Sequence, residues 1–345
     1  MAYQNVGTPR FYISYGDWWK SMGIDVRKYN LLNPTLDTKL TITSTGSPWG
    51  WILSDYYLGS NNHTFSPSFK GIEDCNWFAS LNHNVDPRFR FILKQYVSWA
   101  DGIAKHDDMP WTSTFDTAVN YPIEYQGFSL IVKDNMWDDW SNFNTDSTIT
   151  SFWIKYGLTT IGAINGQTPY FTEEEITFNV GCGVFGKTYD MPHSPDLNLT
   201  MEREYGGIKT IETKGGASLS NSFYNKPPAW GSLGAWELNN NAINHTGRRV
   251  WNLSFSYLSD EDIMQDNPTY NDTNSEWEIG DTTPDFMSEV VRKTNGGQLP
   301  FIFQPDGSNN NPDQFAICKF DQNSFQFKQV ANGVYNVKLK IREVW

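Results

Sequence analysis

The chain is short of charge, of cysteine and of long apolar runs. Asp, Glu, Lys and Arg together make up 19% of the residues. The three cysteines, Cys75, Cys182 and Cys318, are odd in number and far apart. That excludes a disulfide framework and a cysteine metal ribbon. No apolar run approaches the ~18 residues of a membrane-spanning helix, so membrane insertion is not expected. No run of basic residues exists, Arg248-Arg249 and Arg292-Lys293 being isolated pairs, and the formal net charge is -13. Such a chain repels nucleic acid at long range, so no specific nucleic-acid partner is expected. The histidines at 63, 83, 106, 193 and 245 never fall three to five residues apart, so the spacing of a helical zinc site is missing. His83, between Asn82 and Asn84, reads as a hydrogen-bonding turn residue. No Gly-x-Ser-x-Gly elbow occurs, so no serine-hydrolase case arises. The first residues lack a charged-then-apolar export pattern, which leads us to expect synthesis and folding in a cytosol.

What is abundant is aromatic. Phe, Trp and Tyr reach 16%, among them 15 Trp and 22 Phe. Aromatic and β-branched side chains suit a pleated surface, and long Ala/Glu/Lys/Leu helical runs are absent, so the fold class is mainly β. With 345 residues, two domains of roughly 100–200 residues each are expected. Short strands separated by Gly, Pro and Asn read over Arg10–Tyr15, Leu40–Thr43, Asn76–Leu81, Arg88–Val97, Tyr121–Val132, Ser151–Tyr156 and Glu175–Val180. They predict an N-terminal jelly-roll-like β-sandwich at residues 1–180. A second β domain follows at 181–345. Residues 1–35 have the alternative of pairing into the second domain.

The clearest patterns lie from Arg248 to Trp345. Trp251, Leu253, Phe255 and Tyr257 alternate with Asn252, Ser254 and Ser256, which predicts a half-buried strand. At the other end, Tyr335, Val337, Leu339 and Ile341 alternate with Asn336, Lys338, Lys340 and Arg342. Pro284-Asp285-Phe286 opens one short helix running to about Lys293, and Asn295-Gly296-Gly297 stops it. Shorter alternations at Asp196–Met201 and Ile208–Thr213 predict further strands.

Four motifs bear on function. Gly181-Cys182-Gly183-Val184-Phe185-Gly186-Lys187-Thr188 fits the phosphate-binding loop letter for letter. That chemistry needs a helix after the loop. Pro192 and Pro195 follow instead, so the stretch reads as a glycine-rich interdomain turn. Asp260 to Asp285 holds nine acidic residues and no Lys or Arg. It reads as a solvated loop, with a calcium loop through Asp272, Asn274 and Glu276 as the alternative. Trp137-Asp138-Asp139-Trp140 is a candidate glycan contact, since aromatics stack on sugars and paired carboxylates can hydrolyse them. Finally, Arg248, Arg249, Lys338, Lys340 and Arg342 form a candidate assembly interface. The row on Lys338, Lys340 and Arg342 faces either water or an acidic neighbour, for which the Asp260–Asp285 segment of an adjacent copy is suited. No catalytic set, metal site or cofactor is expected.

The stretch Gly247-Arg248-Arg249-Val250-Trp251-Asn252-Leu253-Ser254-Phe255-Ser256-Tyr257-Leu258-Ser259 is similar to a segment of minor tail proteins of tailed bacteriophages. There a basic pair and Trp start a strand ending in a Leu-Ser turn, followed by a helix, a Pro-Phe strand and a closing antiparallel pair. Leu299–Asp306 resembles the Pro-Phe strand, and Phe325–Trp345 the closing pair. Phe185–Asp196, with Lys214–Ala217, looks like structural proteins of marine tailed phages. The resemblance covers residues 181–345. It implies a tail-tube-like β-sandwich or barrel with one short helix, in a virion protein of the tail tip or distal-tail ring. That protein would be made in the host cytoplasm and would assemble with itself and with other tail proteins, with the jelly roll as a decoration. The acidic segment is longer than the family pattern, and the tube-like domain stands second rather than first. A host-surface glycan-binding module and a head decoration or neck protein are the alternative functions.

Overall fold

The structure is a computed structural model. It describes residues 7–21, 38–43, 49–58, 76–83, 89–99, 128–132, 149–160, 175–204, 210–220, 248–263, 269–271, 276–278, 285–310 and 314–344. The strands, in chain order, begin with β1 (Arg10–Ser14), β2 (Thr38–Thr43), β3 (Trp49–Leu58), β4 (Trp77–His83), β5 (Phe89–Trp99) and β6 (Phe128–Val132). They continue with β7 (Ile149–Thr160), β8 (Glu175–Asp190), β9 (Thr200–Glu204), β10 (Thr210–Glu212), β11 (Ser218–Ser220) and β12 (Arg248–Ser259). The last are β13 (Thr269–Asn271), β14 (Glu276–Glu278), β15 (Phe301–Gln304), β16 (Ala316–Phe320), β17 (Phe327–Ala331) and β18 (Val334–Glu343). Two short α-helices, α1 (Tyr15–Ser21) and α2 (Asp260–Ile263), and one π-helical segment, Met287–Arg292, complete the described elements. The protein is mainly β, as its composition implies.

One antiparallel sheet of 11 strands dominates, in the order β6-β4-β8-β1-β15-β16-β18-β12-β9, with β2 added on β8 and β17 on β18. A separate three-stranded sheet runs β3-β7-β5, and β10-β11 and β13-β14 form isolated hairpins. The expected boundary at 180/181 falls inside β8. Its start pairs with β2, its middle with β4 and its end with β1. β1 in turn lies between β8 and β15, and its Phe11, Tyr12 and Ile13 are all buried. A strand covered on both faces shows no alternation. The N-terminal and C-terminal parts of the chain therefore share one hydrogen-bonded sheet.

The main core lies on one face of this sheet. Trp251, Leu253 and Phe255 from β12, Val337, Leu339 and Ile341 from β18, and Phe301 and Phe303 from β15 meet there. Burying each such side chain contributes roughly 1.5–3 kcal/mol. The pattern breaks once. Tyr257 was expected on the core face but is 82% exposed, and Leu258 takes the buried place. A bulge between Phe255 and Leu258, with Tyr257 at φ 62°, shifts the register. The extra residue rotates the aromatic ring outward and restores the alternation after it.

Local chemistry closes the ends. The backbone N–H and hydroxyl of Ser259 donate to Asp262 Oδ2 at 2.8 and 2.7 Å, while the Asp262 N–H donates to Ser259 Oγ at 3.3 Å. This reciprocal cap starts α2, whose Ile263 enters the core. The expected helix at Asp285–Lys293 is present but wound as a π-helix. Ser288 N–H donates to Asp285 Oδ1 at 2.8 Å, and Phe286, Val290 and Val291 are buried. Asn295, Gly296 and Gly297, all at positive φ, end it. The Asn332-Gly333 turn, with Gly333 at φ 66°, joins β17 to β18, as the tight hairpin geometry favours.

Candidate functional site

The glycine-rich match at Gly181–Thr188 is not a turn. It lies wholly within β8, and β8 runs on to Asp190 with no helix after it. The phosphate-loop geometry, amides of a helix N-terminus pointing at an anion, is missing. Gly186 has another reason to be glycine. At the end of β1 the chain turns into α1 directly over it, and a Cβ at position 186 would overlap the Ile13 carbonyl oxygen. We therefore expect no thermal stabilisation by ATP and magnesium, and the same melting curve for Lys187→Ala with and without them.

The candidate glycan contact, Trp137, Asp138, Asp139 and Trp140, lies outside the described residues, as do Asp272 and Asn274 of the calcium alternative. The acidic segment is partly built. Asp260–Ile263 is α2, and Thr269–Asn271 pairs with Glu276–Glu278 as a hairpin. Among the described residues no group of three His, Cys, Asp or Glu side chains could hold a metal ion. Cys318 is buried and unbridged, and burial pushes its thiol well above the usual range.

Arg249 leaves the expected interface. Alternation puts it on the core face with Trp251, and it is buried. Its guanidinium donates to both carboxylate oxygens of Glu343 at 2.9 and 3.1 Å and to the Phe315 carbonyl at 2.6 Å. It also lies over the Trp251 ring at 5.2 Å. This is an internal pair and cannot meet a partner.

The remaining candidates do share one surface. Arg342 stands opposite Val250, Lys340 opposite Asn252 and Lys338 opposite Ser254, on the face turned away from Val337, Leu339 and Ile341. Two further lysines, not singled out from the sequence, join them. Lys319 of β16 is directly opposite Arg342, and Lys328 of β17 is opposite Asn336. Arg248 lies at the β12 end of the same face. Burial, then the neighbouring Arg342, lowers its guanidinium's pKa. Arg342 pairs with Glu204 on β9, and Lys340 with Asp321 at 2.8 Å. Lys319 and Lys328 escaped sequence reading because only strand register shows which residues share a face.

Two other exposed features stand out among the described residues. β10 and β11 form a hairpin with each residue from 210 to 219 exposed, where Ile211 is opposite Leu219. The predicted strand at Asp196–Met201 begins only at Thr200. Asp196 is instead tied to the side of β12, accepting from the Ser256 hydroxyl at 2.8 Å, and Leu197 stands in solvent. No family model, curated protein or solved structure matches this chain.

Proposed function

We propose that the chain is a structural protein of a tailed-phage virion, a tail-tip or distal-tail ring component that works by assembly with copies of itself and with neighbouring tail proteins. In this reading the N-terminal part is a jelly-roll-like decoration and the C-terminal part a tail-tube-like sandwich or barrel. The segments resembling minor tail proteins, Arg248–Ser259 and Leu299–Asp306, support it. The observation that carries assembly is the β10–β11 hairpin. Its cross-strand apolar pair, Ile211 and Leu219, is 64% and 59% exposed. An isolated two-stranded hairpin is at best marginally stable in water. Apolar side chains held out on such an arm suit burial against another subunit.

The test is to purify particles and locate the protein by labelling. The reading expects it in the particle, at the tail end. Absence from purified particles overturns it. A companion variant, Ile211→Asp with Leu219→Asp, should keep the wild-type folding stability within the spread of surface substitutions, about 0.5 kcal/mol. It should nevertheless be excluded from particles. Normal incorporation of that variant would remove the hairpin from the assembly surface.

A further inference from the structure

The outer face of β12, β18, β16 and β17 gathers Arg248, Lys319, Lys328, Lys338, Lys340 and Arg342. Placing Lys319 directly across from Arg342 is unfavourable, since like charges on opposed strand positions repel. Glu204 and Asp321 answer only part of this charge. Lys319, Lys328 and Lys338 have no ion pair among the described residues. The chain as a whole carries -13, so everything outside this face is more acidic still.

We propose that this cationic sheet face is a contact between copies of the chain, and that it takes the acidic end carried by α2 of a second copy. The argument is charge and position. Asp260 and Glu261 are exposed on α2 and open the stretch to Asp285 that has nine acidic residues and no Lys or Arg. α2 is anchored through Ile263 in the core cluster, which lies on the other side of the sheet from the lysines. Asp260 itself stands beside Tyr335 and Gly333 at the start of β18, so the lysine face and the acidic end are two different patches of one subunit and the contact pairs unlike surfaces. Such a contact is heterologous, so repetition closes a ring or runs into a filament. A nucleic acid is the less favoured occupant, because the surrounding negative charge repels a polyanion at long range.

The inference rests on the assembly reading above, but it fails separately. Protein that is incorporated into particles yet monomeric in solution overturns only this contact. Protein that self-associates yet is absent from particles overturns only the virion reading. The experiment is sedimentation velocity of the full chain at about 0.05 M and about 0.5 M salt, a range over which the screening length falls severalfold. Wild type should associate at low salt and dissociate at high salt. Lys328→Glu with Lys338→Glu should be monomeric at both, with an unchanged circular dichroism spectrum and melting temperature. Asp260→Lys with Glu261→Lys should likewise be monomeric alone, and mixing the two variants should restore association at low salt. A wild-type monomer at low salt, a lysine variant that associates like wild type, or a mixture that stays monomeric overturns the proposal. So does a short DNA duplex that binds the face of a wild-type protein that stays monomeric at low salt.

Discussion

Gly186→Ala is expected to yield almost no folded protein. A Cβ there would overlap the Ile13 carbonyl oxygen and press on the Tyr15 backbone nitrogen, 3.2 Å away. Neither is a flexible side-chain end that can swing aside. Relief requires β1 to separate from β8, and β1 is also the strand that joins β8 to β15. Separation exposes Phe11, Tyr12 and Ile13, now at most 2% exposed. At roughly 1.5–3 kcal/mol per side chain, the loss approaches the whole stability of an ordinary domain, about 5–15 kcal/mol. Gly215→Ala is the control. A Cβ there meets nothing closer than Thr213 Oγ1 at 4.0 Å, and stability should move by no more than about 0.5 kcal/mol. Chemical denaturation with circular dichroism measures both. A Gly186→Ala protein as stable as the Gly215→Ala control would show that β1 does not pass over Gly186 as described. A phosphate loop would order the residues differently, with ligand response depending on Lys187 and stability largely indifferent to both.

Gly186 also shows what can and cannot be read from one sequence. The formula at Gly181–Thr188 was visible, and so was the conflict with Pro192 and Pro195. The true reason for the glycine was not, because it depends on a strand more than 170 positions away in the chain. β12 and β18 were legible because one face is buried and the other wet, so period-two alternation prints itself on the sequence. β1 was legible as a strand, but its place was not. Buried on both faces, it carries no mark of which strands flank it. Tyr257 was misplaced because a bulge is a backbone event, and nothing in Ser256-Tyr257-Leu258 demands a left-handed residue at the tyrosine. At the site the same division holds. Lys338, Lys340 and Arg342 are neighbours by alternation. Lys319 and Lys328 become their neighbours only through pairing, and Arg249 leaves the set because its partner Glu343 lies 94 positions on.

Glu343→Leu is expected to cost about 3–5 kcal/mol, because it leaves Arg249 buried without a counter-charge. The carboxylate also accepts the Arg249 backbone N–H at 2.9 Å, so one substitution takes the carboxylate from the guanidinium and the acceptor from the amide together. The double variant Arg249→Met with Glu343→Leu should recover part of the loss, since replacing both members of a buried pair by apolar groups of similar size is often close to neutral. Recovery should be incomplete for two reasons fixed by the structure. The Phe315 carbonyl loses the donor at 2.6 Å, and the Arg249 amide still lacks its acceptor. A double-mutant cycle in urea measures the coupling, and a double variant no more stable than Glu343→Leu alone would show that the pair is not the buried unit described. The cycle also separates two meanings of a lost assembly phenotype. Arg249→Ala should fail to assemble because it fails to fold, with its melting temperature falling in parallel. Lys338→Glu should fail to assemble with its melting temperature intact. One residue of the basic pair at 248–249 thus serves the core and the other the surface, although they are adjacent in the chain. The pleat alone, turning successive side chains to opposite faces, assigns them to different tasks.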